Sequence, residues 1–204
     1  MGMERSLHEV FGITNHDVEI PSAGRTDRAI TQDLFAHHGI DASPENLQQF
    51  LTAYDRHLPT ALTECQGEVY PGIYPLIEQL AERTDVVLGL LTGNYQLGAH
   101  HKLAHYRLNH HFGFGGFGDV HLHRDDVARS AYQAAQQALS RDINPADIWV
   151  IGDTPADVRC ARAIGANVAA VATGIFSVGE LEAMQPDRLF ADFSDYHEFL
   201  SLLA

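Results

Sequence analysis

Two aspartates four residues apart, Asp153 and Asp157, stand where an apolar run gives way to a helical pattern in DIWVIGDTPADVRCARAIGA, residues 147–166. Ile148, Trp149, Val150 and Ile151 make the kind of run a parallel strand buried on both faces requires, and Gly152 ends it. Thr154 can cap the helix that follows, Pro155 suits its first position, Asp157 falls where a capping-box carboxylate sits, and Gly165 offers the stop. Ligands of open α/β sheets bind beyond the carboxyl ends of the strands, where Asp153 would project with Asp157 one helical turn behind. Two acids there suit a hard cation. Each also has a plainer reading, Asp157 as a helix-start carboxylate and Asp153 as a surface turn residue.

The elements that must position these acids follow from periodicity. Leu7, Val10 and Phe11 give a short helix over Ser6 to Phe11; Gly24 to Asp27 open a second, with Ile30, Leu34 and Phe35 on one face and Gly39 as its stop. Ser43, Pro44 and Glu45 start a third, carrying Leu47, Phe50, Leu51, Tyr54 and Leu58. After the turn at Val69 to Gly72 comes a helix with Ile73, Leu76, Ile77 and Leu80. Val86 to Leu91 then read as a second buried strand, ending in Thr92-Gly93-Asn94. A helix over Tyr95 to Leu108, a glycine-rich loop with a short edge strand over Phe112 to Asp119, and a helix over Val127 to Leu139 preceded by Arg124 complete the middle of the chain. Beyond the first acidic unit lie a small-residue strand over Val168 to Ala172, a short strand near Leu189 and Phe190, and a helix over Asp195 to Leu202. A run of helices followed by alternating strands and helices is the pattern of a helical module on an α/β core. Boundaries near Pro21 and near Cys65 to Pro71 divide the chain into residues 1–20, a helical module over 21–68 and an α/β section over 69–204.

Composition removes several function classes. No run approaches the roughly 18 apolar residues of a membrane span, and the polar start MGMERSLHEV is not a secretory signal, which predicts a cytoplasmic protein. Cys65 and Cys160 form neither a disulfide framework nor a Cys-x-x-Cys pair. A formal net charge of −14 opposes nucleic acid as a partner. The thirteen histidines include three doublets, but adjacent helical positions do not face one another and no cysteine accompanies them at zinc-finger spacing. The glycines around Phe114 to Phe117 lack the Gly-Lys-Ser/Thr ending of a P-loop. Oligomeric state is not readable.

Three pieces stand in a telling order: LLTGN at 90–94, Arg124 before a helix, and IGDTPAD at 151–157. Together they resemble the haloacid dehalogenase (HAD) superfamily of phosphatases and related hydrolases, of phosphoglycolate-phosphatase type. The resemblance covers nearly the whole chain and implies a Rossmann-like parallel sheet, with residues 21–68 as the inserted helical cap. It implies that Thr92, with Gly93 and Asn94, binds the phosphoryl group of a small phosphorylated metabolite, that Arg124 stabilises its charge, and that Asp153 and Asp157 hold Mg²⁺. Phosphoryl transfer needs mainly positioning and charge neutralisation, so these are the required parts. Arg25, Asp27 and Tyr54 are cap residues that could select the substrate.

One part of the family pattern has no counterpart. The family's nucleophile is the first aspartate of an Asp-x-Asp motif ending the first, central strand; Asp17-Val18-Glu19 follows no apolar strand and lacks the Gly-Thr that should come next. The chain reads as starting after that loop, which predicts little or no turnover and a gap between the strands ending at Thr92 and Ile151. Two apolar strands would then face that gap with unpaired backbone groups. Three readings stand: a Mg²⁺-dependent phosphomonoesterase, a non-catalytic remnant that keeps the phosphate and metal contacts, and a carbon-halogen hydrolase, which the two acids disfavour.

Overall fold

The computed structural model describes residues 1–15 and 20–203; Asp17-Val18-Glu19 lies outside them. Its parallel strands are carried by alternating helices, as the sequence pattern requires. The longer ladder joins β3 (Trp149–Gly152), β4 (Asn167–Val171) and β5 (Arg188–Phe190) in that order, all parallel. Side chains along β4 alternate between two cores, as a strand's period of two demands. Ala169 and Val171 join Phe190, Phe193 and Phe199 with Leu76 and Leu80 of α4 (Ile73–Glu82) on one face. Val168 and Ala170 meet Val158 and Ala161 of α7 (Pro155–Ile164) and Leu181 of α8 (Val178–Glu182) on the other. The short C-terminal helix α9 (Tyr196–Leu200) contributes Phe199 to the first core.

A second, shorter ladder pairs β1 (Leu90–Leu91) with β2 (Gly115–Gly116), also parallel. Among the described residues no ladder joins β1 to β3, so the strands fall into two separate ladders. Only two residues of the expected strand over Val86 to Leu91 are paired, because β2 offers only two. The rest keeps the alternation: Val86 and Leu88 pack on the core, whereas Val87 is 53% exposed. Ile151, in the middle of β3, is 42% exposed. Both belong to stretches whose sequence suits burial on both faces.

The first third is helical, as expected. Helix α1 (Gly2–Phe11) begins four residues before the expected Ser6, and packs along α3 (Pro44–Glu64). With α2 (Asp27–His37) they enclose a core of Leu7, Phe35, Phe50, Tyr54 and Leu58, with edge-on contacts between Phe11 and Phe35 and between Phe35 and Phe50. Tyr95 enters the same core from the start of α5 (Gln96–His105), so the helical layer is keyed to the β1 end of the sheet. The backbone N–H of Tyr95 donates to the buried Asp27 carboxylate at 2.9 Å, and its hydroxyl donates to Thr31 at 2.9 Å. Helix α6 (Arg124–Leu139) packs on β2 and α7 and bridges the two ladders. Among the described residues no helix is long and apolar enough to cross a membrane.

Candidate active site

Each proposed site residue stands at the carboxyl tip of a strand or the first turn of a helix. The turn after β1 is built around Thr92, whose hydroxyl accepts the Asn94 N–H at 3.2 Å. Asn94 is fully engaged in this junction. Its amide donates to Asp27 at 3.4 Å, its side-chain oxygen accepts from Lys102 at 2.9 Å, and its carbonyl accepts the Gly118 N–H at 2.8 Å. Gly93 is glycine for reasons of space. A Cβ there would lie 2.2 Å from the Arg25 carbonyl oxygen and 3.1 Å from Nη1 of Arg124. The strand tip, the entry to α2 and the arginine therefore meet at one point.

Arg124 is the first residue of α6, three positions ahead of the expected helix start, so the helix itself fixes its backbone. Its guanidinium reaches across to Asp157 in an ion pair that is largely buried on both sides. The capping box expected from the sequence is formed. The Asp157 N–H donates to the Thr154 hydroxyl at 3.3 Å, while the Thr154 N–H and hydroxyl donate to the Asp157 carboxylate at 3.0 and 2.8 Å. Gly152 leaves room for that carboxylate, which a Cβ would meet at 2.3 Å. Both oxygens of Asp157 are thus spent, one on Thr154 and the other on Arg124.

Asp153 is different. Its carboxylate lies against Gly174, in the turn that follows β4, is half-buried, and is the end of no ion pair among the described residues. Burial, and then the neighbouring Asp157 charge, push its pKa above the ordinary aspartate value. A hard cation would relieve both effects, so Asp153 fits as one carboxylate of an open metal site. Asp157 fits less directly, since it already neutralises Arg124. Among the described residues no group of three or more His, Cys, Asp or Glu side chains is placed to hold a metal.

Thr92, Gly93, Arg124, Asp153 and Asp157 are therefore gathered at one edge of the divided sheet, linked through the Arg124 guanidinium. Of the three residues singled out by sequence as selectors, Asp27 and Tyr54 are buried where the helical layer meets Tyr95, whereas Arg25 lines a cavity. Sequence reasoning did not find the seating of the Arg25 carbonyl on Gly93 or the Arg124–Asp157 pair, whose partners are 33 positions apart. Nor did it place Cys160, expected as a free thiol, beside Arg124, where burial holds the thiol above its ordinary range.

Residues 127–196 match the family model described as HAD-hydrolase-like. A predicted phosphoglycolate phosphatase from Haemophilus somnus 129PT superposes with a TM-score of 0.66 at 16% identity, over 98% of this chain and 88% of that one. The fold is haloacid dehalogenase-like. CbbY from Rhodobacter sphaeroides, solved with xylulose-1,5-bisphosphate, gives a TM-score of 0.67 at 19% identity over 95% of this chain and 88% of its own. A predicted phosphatase from Clostridium acetobutylicum gives 0.63 at 20% identity, over 99% and 89%. No curated protein matches the HAD-like chain by sequence.

Proposed function

We propose that this chain supplies the phosphoryl-binding and cation-binding parts of a Mg²⁺-dependent hydrolase of small phosphomonoesters. The observation that carries the reading is the position of Arg124, held by Asp157 beside the Thr92–Gly93 strand tip. A guanidinium held by a buried carboxylate is preorganised to meet an oxyanion. The Thr92 hydroxyl donates to a phosphoryl oxygen, Gly93 and Asn94 hold the strand tip that presents it, and Arg124 offsets the charge that develops on that oxygen. Asp153 is the carboxylate that would hold the cation, with Asp157 balancing Arg124 beside it. When bound, Mg²⁺ supplies further neutralisation of phosphoryl oxygens. Structural relatives that include a predicted phosphoglycolate phosphatase and a protein holding a sugar bisphosphate support the substrate class. A cytoplasmic setting, with Cys65 and Cys160 as free thiols, belongs to the same reading.

The reading has a second half. Covalent catalysis needs a carboxylate at the tip between β1 and β3, and among the described residues the sheet is divided at that place. These 204 residues are therefore expected to bind phosphate and Mg²⁺ without turning over an ester. The division also keeps alive the alternative of a non-catalytic binding protein with the same contacts. Both halves are tested by assaying p-nitrophenyl phosphate hydrolysis with Mg²⁺ while following phosphate and Mg²⁺ binding by calorimetry. Asp153→Ala should abolish Mg²⁺ binding. Unchanged binding in that variant removes the metal assignment, and rapid Mg²⁺-dependent hydrolysis removes the expectation of inactivity.

A further inference from the structure

The strand tip that presents Thr92 is held from the helical layer as well as from its own side of the sheet. On the sheet side, the Thr92 N–H donates to the Gly116 carbonyl at 3.1 Å and the Asn94 carbonyl accepts the Gly118 N–H at 2.8 Å. Further bonds to the same stretch come from Asp27, the first residue of α2. Its N–H donates to the Gly93 carbonyl at 2.6 Å, and its carboxylate accepts the Tyr95 N–H at 2.9 Å and the Asn94 side-chain amide at 3.4 Å. An acid in the first turn of a helix is most simply a helix-start charge. Here the Thr26 hydroxyl already caps α2 by accepting the Ala29 N–H at 3.1 Å, and Asp27, only 6% exposed, turns its carboxylate onto residues 94 and 95 instead.

Behind Asn94 stands Lys102 of α5, the single lysine of the chain, whose ammonium donates to the Asn94 side-chain oxygen at 2.9 Å. Ammonium, amide and carboxylate form a polar chain whose ends carry opposite charges, which fixes the way round that the Asn94 amide lies. Burial pushes the pKa of Asp27 up; the Tyr95 N–H, the Lys102 charge and the Asn94 amide oppose that rise, and the Asp119 charge adds to it. A carboxylate so enclosed is costly unless its donors stay in place, so the donors are held as firmly as the acid. The Asn94 N–H in turn donates to the Thr92 hydroxyl at 3.2 Å, which fills an acceptor position of that oxygen and leaves its hydrogen to donate elsewhere.

We infer that Asp27, with Lys102 acting through Asn94, is a positioning residue for the phosphoryl contact: from the helical layer it sets the Gly93 carbonyl, the Asn94 amide and through them the Thr92 hydroxyl, and it touches no ligand itself. The inference rests on the phosphoryl-binding role given above to Thr92. It takes Asp27 out of the selectors suggested by sequence and makes phosphate affinity depend on a contact between helical layer and sheet.

The test measures inorganic phosphate affinity with Mg²⁺ present, Mg²⁺ affinity and thermal midpoint for the wild type, Asp27→Asn, Lys102→Met and Thr31→Val. Asp27→Asn keeps the size of the side chain and an oxygen for the Tyr95 N–H but sets its amide against that of Asn94, so phosphate affinity should fall roughly tenfold. Lys102→Met, at a half-buried side chain, should lower it about threefold, and it decides the matter where Asp27→Asn does not fold. Mg²⁺ affinity should stay within about twofold of the wild type in both, because Asp153 belongs to the other ladder. Thr31→Val deprives the buried Tyr95 hydroxyl of its partner in the same junction; it should lower the midpoint and leave phosphate affinity unchanged. Labelling with ¹⁵N-lysine gives a signature that lost stability does not mimic: the one ε-ammonium signal should move on saturation with phosphate in the wild type and stay in place in Asp27→Asn. If phosphate binds the wild type and binds Asp27→Asn and Lys102→Met as tightly, if Thr31→Val weakens it as much as Asp27→Asn, or if the lysine signal does not move, the positioning role is overturned and the phosphoryl site stands. If phosphate does not bind the wild type, the phosphoryl site falls, and this inference with it.

Discussion

Asp153 and Asp157 carry the same functional group a helical turn apart, and their surroundings give them opposite tasks. Asp157 is closed in by Thr154 and Arg124, so its charge is balanced inside the protein and it holds a helix start and an arginine in place. Asp153 is half-buried beside that carboxylate without a cation of its own, and its pKa is raised above the usual 3.8. The sign of the consequence follows from linkage: a carboxyl with a raised folded-state pKa costs stability while ionised, and the cost disappears as pH falls through the folded value toward the ordinary one. Asp153→Asn should therefore raise the thermal midpoint near pH 7. Differential scanning fluorimetry should find that difference shrinking as pH approaches 4. Millimolar Mg²⁺ should raise the midpoint of the wild type and leave Asp153→Asn unmoved. A midpoint for the variant equal to or below that of the wild type at neutral pH would contradict the assigned environment.

At the level of elements, the glycine-rich segment around β2 illustrates how absence of a side chain positions a site. Gly116 lies so close to α6 that a Cβ would stand 2.4 Å from the Val127 carbonyl oxygen and 2.7 Å from the Ala131 N. Gly116→Ala must push β2 away from the helix that carries Arg124. The expected result is a loss of about 2–3 kcal/mol in urea unfolding, the scale of overpacked sites, together with weaker phosphate binding through displaced Arg124. The sequence made several of these elements readable. Thr154, Pro155, Asp157 and Gly165 punctuate α7 as written, and the short edge strand in the glycine-rich loop is present. Other elements were hidden for physical reasons. Helix α8 is only five residues long, too short for periodicity, although its Ser177–Glu180 capping box was there to be noticed. The expected strand at Val86 to Leu91 has the right alternation but pairs over two residues, because pairing depends on a neighbour that no local pattern encodes. The meeting of Arg124 with Asp157, and of Arg25 with Gly93, depends on contacts across the fold and left no local sign.

For the molecule as a whole, the central fact is that one α/β layer is built from two ladders, β1–β2 and β3–β4–β5, spanned by α6 and keyed to the helical module through Tyr95 and Asp27. The strand tips on both sides of this division, at Thr92 and Ile151, were legible in the sequence. Paired neighbours take the hydrogen bonds of alternate residues in a parallel ladder. Leu90 and Thr92 donate toward β2 and Ile148 accepts from Asn167, so the N–H groups of Leu91, Trp149 and Ile151 face away from those partners. Deuterium uptake followed by mass spectrometry or NMR should therefore be lopsided within single strands. The amides of Leu91 and Ile151 should exchange within minutes while those of Val168 to Val171, interior to the three-stranded ladder, persist for hours. An added peptide that lodged between the ladders would silence that fast exchange, making two amides the reporters of whether the sheet has been made whole.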